Sequence, residues 1–131
     1  MLPEDDRALA ESSAAVERSK TEWTALKASA GRGELRFEPE AAERCAKACE
    51  DAIAKIEGHL ARARRLTAVE GFGTPNAGVA LAAKFSAKGA EAVSVLKAHL
   101  DVLADMRDAY RAAGRAYVAT ESANTTTFGA E

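Results

Sequence analysis

Apolar residues recur at alternating three- and four-residue steps along three stretches of this chain, and between the stretches the pattern stops. In the first, Leu9, Ser12, Val16, Ser19, Trp23, Leu26 and Ala30 fall on one helical face. The spacing predicts a helix from about Asp5 to Ser29. Pro3 suits a first turn, and Glu4, Asp5 and Asp6 complement the positive end of the helix dipole. Gly31-Arg32-Gly33 ends the pattern. A short link follows in which Leu35 and Phe37 share a side if the backbone is extended. Pro39, with Glu38 and Glu40 beside it, then opens a second helix.

The second stretch repeats through Cys45, Cys49, Ala52, Ile56, His59, Ala63 and Leu66, and Ile53 and Leu60 widen the seam. Glu70-Gly71-Phe72-Gly73-Thr74-Pro75-Asn76 interrupts it, with Gly71, Phe72, Gly73 and Pro75 forming the turn. A third helix is predicted from near Asn76 to about Ser122. Its seam runs Ala92, Leu96, His99, Leu103, Met106, Tyr110, Ala113 and Tyr117; Leu81 and Phe85 extend it toward the turn, and Val93 and Leu100 broaden it. At 1.5 Å per residue the third helix is roughly 65–70 Å long and the second about 45 Å. The two cannot match end to end, so the third is expected to overhang from about Leu103, with the first helix as its cover.

These elements define an all-α fold, a long antiparallel helical hairpin plus an N-terminal helix, closed as a three-helix bundle or as a dimeric four-helix-type bundle. Residues 1–34 read as a helical extension, 35–123 as the hairpin with its turn at 70–77, and 124–131 as a flexible tail. Ile53, Ile56, Leu60, Phe85, Leu96, Leu100, Leu103, Met106 and Tyr110 form a seam wider than one neighbouring helix can cover. A homodimer, or a heterodimer with another helical hairpin, is the expected assembly.

Composition sharpens this picture. Alanine is about a quarter of the chain and aromatics 5%, so helices can approach closely while each contact buries little area. The 18 basic and 20 acidic residues are mixed throughout, without the basic stripe of a nucleic-acid binder. Arg62, Arg64 and Arg65 make a small basic patch flanked by Glu57 and Glu70. No stretch approaches the roughly 20 consecutive apolar residues of a membrane span. The acidic N-terminus is unlike a secretory signal. The chain is expected to be made in the cytoplasm and, if exported, to leave without a cleaved signal peptide.

Candidate chemistry is sparse. Cys45 and Cys49 are four apart on one helix, and the nearest histidine, His59, is ten residues beyond Cys49. That spacing is wrong for a four-ligand zinc site, and a disulfide within one helix is poorly oriented. No nucleophile elbow or phosphate loop is present, and the Asp105 and Asp108 carboxylates read as salt-bridge partners of Arg107 and Arg111. No enzyme activity, metal or cofactor is expected. The remaining constellation is Tyr117-Val118-Ala119-Thr120-Glu121, whose ring and carboxylate stack one turn apart near the end of the last helix.

Together, Leu35-Arg36-Phe37-Glu38-Pro39-Glu40, Phe72-Gly73-Thr74-Pro75 and the Tyr117–Glu121 pair resemble the Trp-x-Gly family of small type VII secretion substrates. The resemblance covers residues 35–123. Gly71 stands where that family carries its turn aromatic, and Phe72 is the adjacent ring. The resemblance implies a non-enzymatic protein, exported folded or acting as co-secretion partner. Tyr117 and Glu121 would be its secretion signal, and a secretion ATPase or a toxin client its further partner. A cytoplasmic adaptor or chaperone for a larger secreted toxin, and a purely structural bundle, are the alternative readings.

Overall fold

The computed structural model describes residues 4–65 and 76–129. Three helices account for nearly all of them: α1 (Glu4–Gly31), α2 (Pro39–Arg65) and α3 (Asn76–Gly129). The chain is an all-α bundle. The turn residues Gly71, Phe72, Gly73 and Pro75, and the seam residue Leu66, lie outside the described residues.

Local chemistry sets the helix ends. α1 closes in a Schellman motif: the Glu34 N–H donates to the Ser29 carbonyl at 3.0 Å and the Gly33 N–H to the Ala30 carbonyl at 3.0 Å. Gly33 adopts φ 78°, the left-handed region that residues with a Cβ avoid. α2 begins on a carboxylate cap. Glu38 accepts hydrogen bonds from the Glu40 and Ala41 N–H groups at 3.0 and 2.8 Å, while its carbonyl takes the first helical bond from Ala42. Pro39 occupies the first helical position, where its missing N–H costs nothing. Arg62, Arg64 and Arg65 sit at the opposite, negative end of the helix dipole.

α3 is the spine. At 54 residues it spans about 81 Å, against about 40 Å for each of the other helices. α2 runs antiparallel to it, with Ala42 against Gly114 and Glu43 paired to Arg111. α1 runs parallel to it, with Lys20 at Asp101, Thr24 at Asp105 and Lys27 at Asp108. Both pack on α3, and among the described residues no Cα of α1 comes within 8 Å of a Cα of α2. From Ala98 to Gly114, only Asp101 is exposed.

The core is correspondingly lean. Val16, Ala30, Ala42, Ala46, Cys49, Leu60, Ala63, Val102, Ala109 and Ala113 are buried, and six of these ten are alanine. Two expectations shift. The overhang begins near Tyr117 rather than Leu103, because α2 reaches along α3 as far as Gly114 and α1 covers the other side of the same segment. The α2 seam is centred on Ala42, Ala46, Cys49, Leu60 and Ala63, leaving Cys45 and His59 exposed. Alanine carries little weight in a hydrophobic pattern, yet here it marks the closest backbone approach. The helix also continues to Gly129, past Ser122. Propagation adds one hydrogen bond per residue to an existing helix, so a polar sequence can prolong it.

Candidate functional site

Two surfaces stand out: the α3 turns that project past both short helices, and the apolar stripe of α3 between them. On the projecting turns Tyr117 is 37% exposed and Val118 49%, and Glu121 is exposed one turn further on. Tyr117, Val118 and Glu121 line an open groove with Pro39, Ser122 and Thr125. The connector between α1 and α2, residues 32–38, holds this region in place. Arg36 donates to the Thr120 hydroxyl at 3.1 Å, and Thr120 donates in turn to the Ala116 carbonyl at 2.9 Å. The Phe37 N–H donates to the Ala113 carbonyl at 3.2 Å. Tyr117 and Glu121 therefore share one outer surface, and Thr120, between them in sequence, is tied to the start of α2.

The α3 stripe and the α2 residues Ile53, Ile56 and Leu60 hold the remaining sequence-derived positions. Leu60 is buried; Ile53, Ile56, Leu96, Leu100, Leu103, Met106 and Tyr110 are half-buried; Phe85 is 46% exposed. Leu103 and Met106 form one wall of a groove of about 390 Å³ whose other wall is the small residues Ser12, Ala15 and Ser19 of α1. His99 sits in the same groove, its Nδ1 hydrogen-bonded to the Val95 carbonyl at 2.9 Å. That bond fixes the imidazole with a proton on Nδ1. Tyr110 joins three elements, its ring 5.5 Å from Trp23 of α1 and 5.7 Å from Phe37 of the connector, with Cys45 of α2 lining the same hollow.

Electrostatic ties flank the stripe. On the α1 side, Lys20 meets Asp101 at 3.5 Å, Thr24 donates to Asp105 at 3.0 Å, and Lys27 bridges Asp105 and Asp108 at 3.5 Å each. On the α2 side, Arg111 bridges Glu43 and Glu50. Asp105 and Asp108 thus look across to another helix, although Asp108 also takes a bond from Arg107 at 3.0 Å. The matching signal was present in the sequence. Lys20 and Lys27 lie seven apart, as do Asp101 and Asp108, which puts each pair on one helix face.

The charges shift as these contacts dictate. The backbone N–H groups of Ala41 and Glu40 hold the Glu38 carboxyl below its ordinary range, and the Arg111 hydrogen bond does the same for Glu43. Burial pushes Asp108 up, but Arg107 and Lys27 together outweigh it and leave it lowered. Burial raises the Cys49 thiol, with Cys45 adding to the rise, so Cys49 is a poor nucleophile. Carboxyls with lowered folded values stabilise the fold fully above their ordinary range of about 4–4.5, and the contribution disappears as pH falls through the lower folded values. From these carboxyls, the fold should lose stability only below about pH 4, with a modest fall in the thermal midpoint. Glu38→Gln should flatten that fall. An equally steep fall in this variant would show that the α2 cap is not part of it.

Among the described residues, no helix is long and apolar enough to cross a membrane, and no group of three or more His, Cys, Asp or Glu side chains is placed to hold a metal ion. No protein-family model matches the chain, and neither a curated protein nor a solved structure matches it.

Proposed function

We propose that this chain is a non-enzymatic, helix-pairing protein associated with type VII secretion, exported folded or serving as the co-secretion partner of another substrate. The observation that carries this reading is the position of Tyr117 and Glu121. Both are exposed on the α3 turns beside Pro39, the first residue of α2, where a docking protein can read ring and carboxylate together. The half-buried stripe through Leu96, Leu100, Leu103 and Met106 supports the pairing half of the proposal, since a second helical chain, identical or different, would complete its cover. The same stripe favours the adaptor reading, in which the hairpin holds a client helix inside the cell and Tyr117 has no export role.

Export separates the two. In a host with a type VII apparatus, the protein is expected in the culture supernatant without lysis. Tyr117→Ala is expected to stay in the cell pellet while keeping wild-type helicity. A 37% exposed side chain at a helix surface is a small part of the fold, so the change in stability should stay within about 1 kcal/mol. Undiminished export of Tyr117→Ala would refute the secretion reading.

A further inference from the structure

We propose that the α3 face carrying Asp101, Asp105 and Asp108 is an interaction surface for α1 of a second copy of this chain, reached when the turn at Gly31–Gly33 opens. This exchange of arms stands apart from the export reading, since neither Tyr117 nor Glu121 takes part in it.

Four observations carry it. First, α1 packs on α3 and has no Cα within 8 Å of α2 among the described residues, so its departure leaves the α2–α3 packing in place. Second, α1 is lightly held: among its described side chains only Val16 and Ala30 are buried, whereas α2 buries five. Small α1 residues face Leu103 and Met106 across a groove of about 390 Å³, so the apolar contact is underfilled. Third, beside the Trp23–Tyr110 ring contact a charge ladder flanks the α1–α3 seam, Lys20 to Asp101 and Lys27 to Asp105 and Asp108. Ring contact and ladder can be made equally by α1 of a second copy, whose charges are complementary to this face. Fourth, the pivot is confined. Beyond it the connector is pinned by the Phe37–Ala113 and Arg36–Thr120 hydrogen bonds, while the closed turn depends on Gly33 at φ 78°. A Cβ at Gly33 would meet nothing within 4 Å, so only the backbone resists a side chain there.

The test uses two full-length variants with opposite charge on the ladder. One carries Lys20→Glu and Lys27→Glu; the other carries Asp101→Lys, Asp105→Lys and Asp108→Lys. In each, α1 repels its own α3. Mixed, each α1 meets a complementary α3 on the other chain. Trp23 is the sole tryptophan and meets Tyr110 in a tilted ring contact at 5.5 Å, so its emission reports α1 docking. Each variant alone is expected to be a helical monomer with Trp23 emission shifted to the red. The equimolar mixture is expected to recover wild-type emission and run at twice the 13.8 kDa chain mass. A mixture that stays monomeric and red-shifted would overturn the proposal, leaving that face open to no copy of this chain. So would either variant keeping wild-type emission alone, since the ladder would then not govern docking. Gly33→Val gives an independent reading in the otherwise native chain. It strains only the closed turn, so light scattering should show a dimer fraction that grows with concentration. A strict monomer at every concentration would count against exchange.

Discussion

Tyr110→Ala should destabilise the protein by about 2–3 kcal/mol, somewhat below the 3–5 kcal/mol of a fully buried aromatic because this ring is only half-buried. Its ring contacts Trp23 from α1 at 5.5 Å and Phe37 from the connector at 5.7 Å. Each aromatic pair contributes about 0.5–1.5 kcal/mol beyond area burial. Removing the ring therefore loosens α1 and the connector in one step, at the end of the bundle where the core is otherwise alanine. The thermal midpoint should drop by roughly 6–12 °C for a chain of this size, and Trp23 emission should move to the red. Tyr110→Phe keeps both ring contacts and should stay within about 0.5 kcal/mol of wild type. If Tyr110→Ala proved as mild as Tyr110→Phe, the aromatic junction would not be what binds α1 to the spine.

That junction illustrates what was legible in the sequence. Trp23 and Tyr110 each stand on a helical face with strict three-four spacing, so the inward side of both helices could be read directly. Phe37 was legible as a residue sharing one side of the link with Leu35. Their meeting was not, because register between helices depends on contacts that no single-helix pattern carries. The α2–α3 register shows the same limit. Centring the turn on Gly73 places His99 beside residues 46–49, whereas the structure places Glu43 at Arg111 and Ala42 at Gly114. The pairing is set by fork-shaped charge contacts and by the absence of a side chain at residue 114, neither of which contributes to a hydrophobic period.

The exposed surfaces were legible for a different reason. Tyr117 and Glu121 were singled out by spacing and by nearness to the chain's end, and both are exposed on the projecting turns. Arg36 escaped notice because an isolated arginine in a connector has no period. Its hydrogen bond to Thr120 nevertheless couples the start of α2 to the turn that separates Tyr117 from Glu121. A lean core makes such polar couplings matter more. With alanine filling six of the ten buried apolar positions, each helix contact contributes little apolar area, and forks such as Arg111 to Glu43 and Glu50 help to set orientation.

Gly114→Leu is expected to be among the most damaging single changes in the α2–α3 pair. Gly114 is buried, and a Cβ there would stand 3.1 Å from the Ala42 Cβ and 3.7 Å from the Pro39 Cα. Alanine at this position is a balanced case. It gains about 1 kcal/mol of helix propensity over glycine, and the tight contact with Ala42 returns a penalty of similar size, so the net change should be near zero. Leucine adds three more carbons beside the first turn of α2, where the two nearest atoms, the Ala42 Cβ and the Pro39 Cα, cannot rotate away. Overpacking of this kind costs about 1–3 kcal/mol and occasionally more, and leucine's propensity gain offsets about 1 kcal/mol of it. The remaining strain falls on the Glu38 cap and the Arg36–Thr120 bond, both within a turn of the contact. Leucine should therefore lower the thermal midpoint and raise amide exchange at Glu40 and Ala41, whose N–H groups the cap holds, while α1 exchange stays unchanged. Alanine and leucine variants with equal midpoints would mean that α2 can lift away from α3 without cost, and that Gly114 does not set the spacing between them.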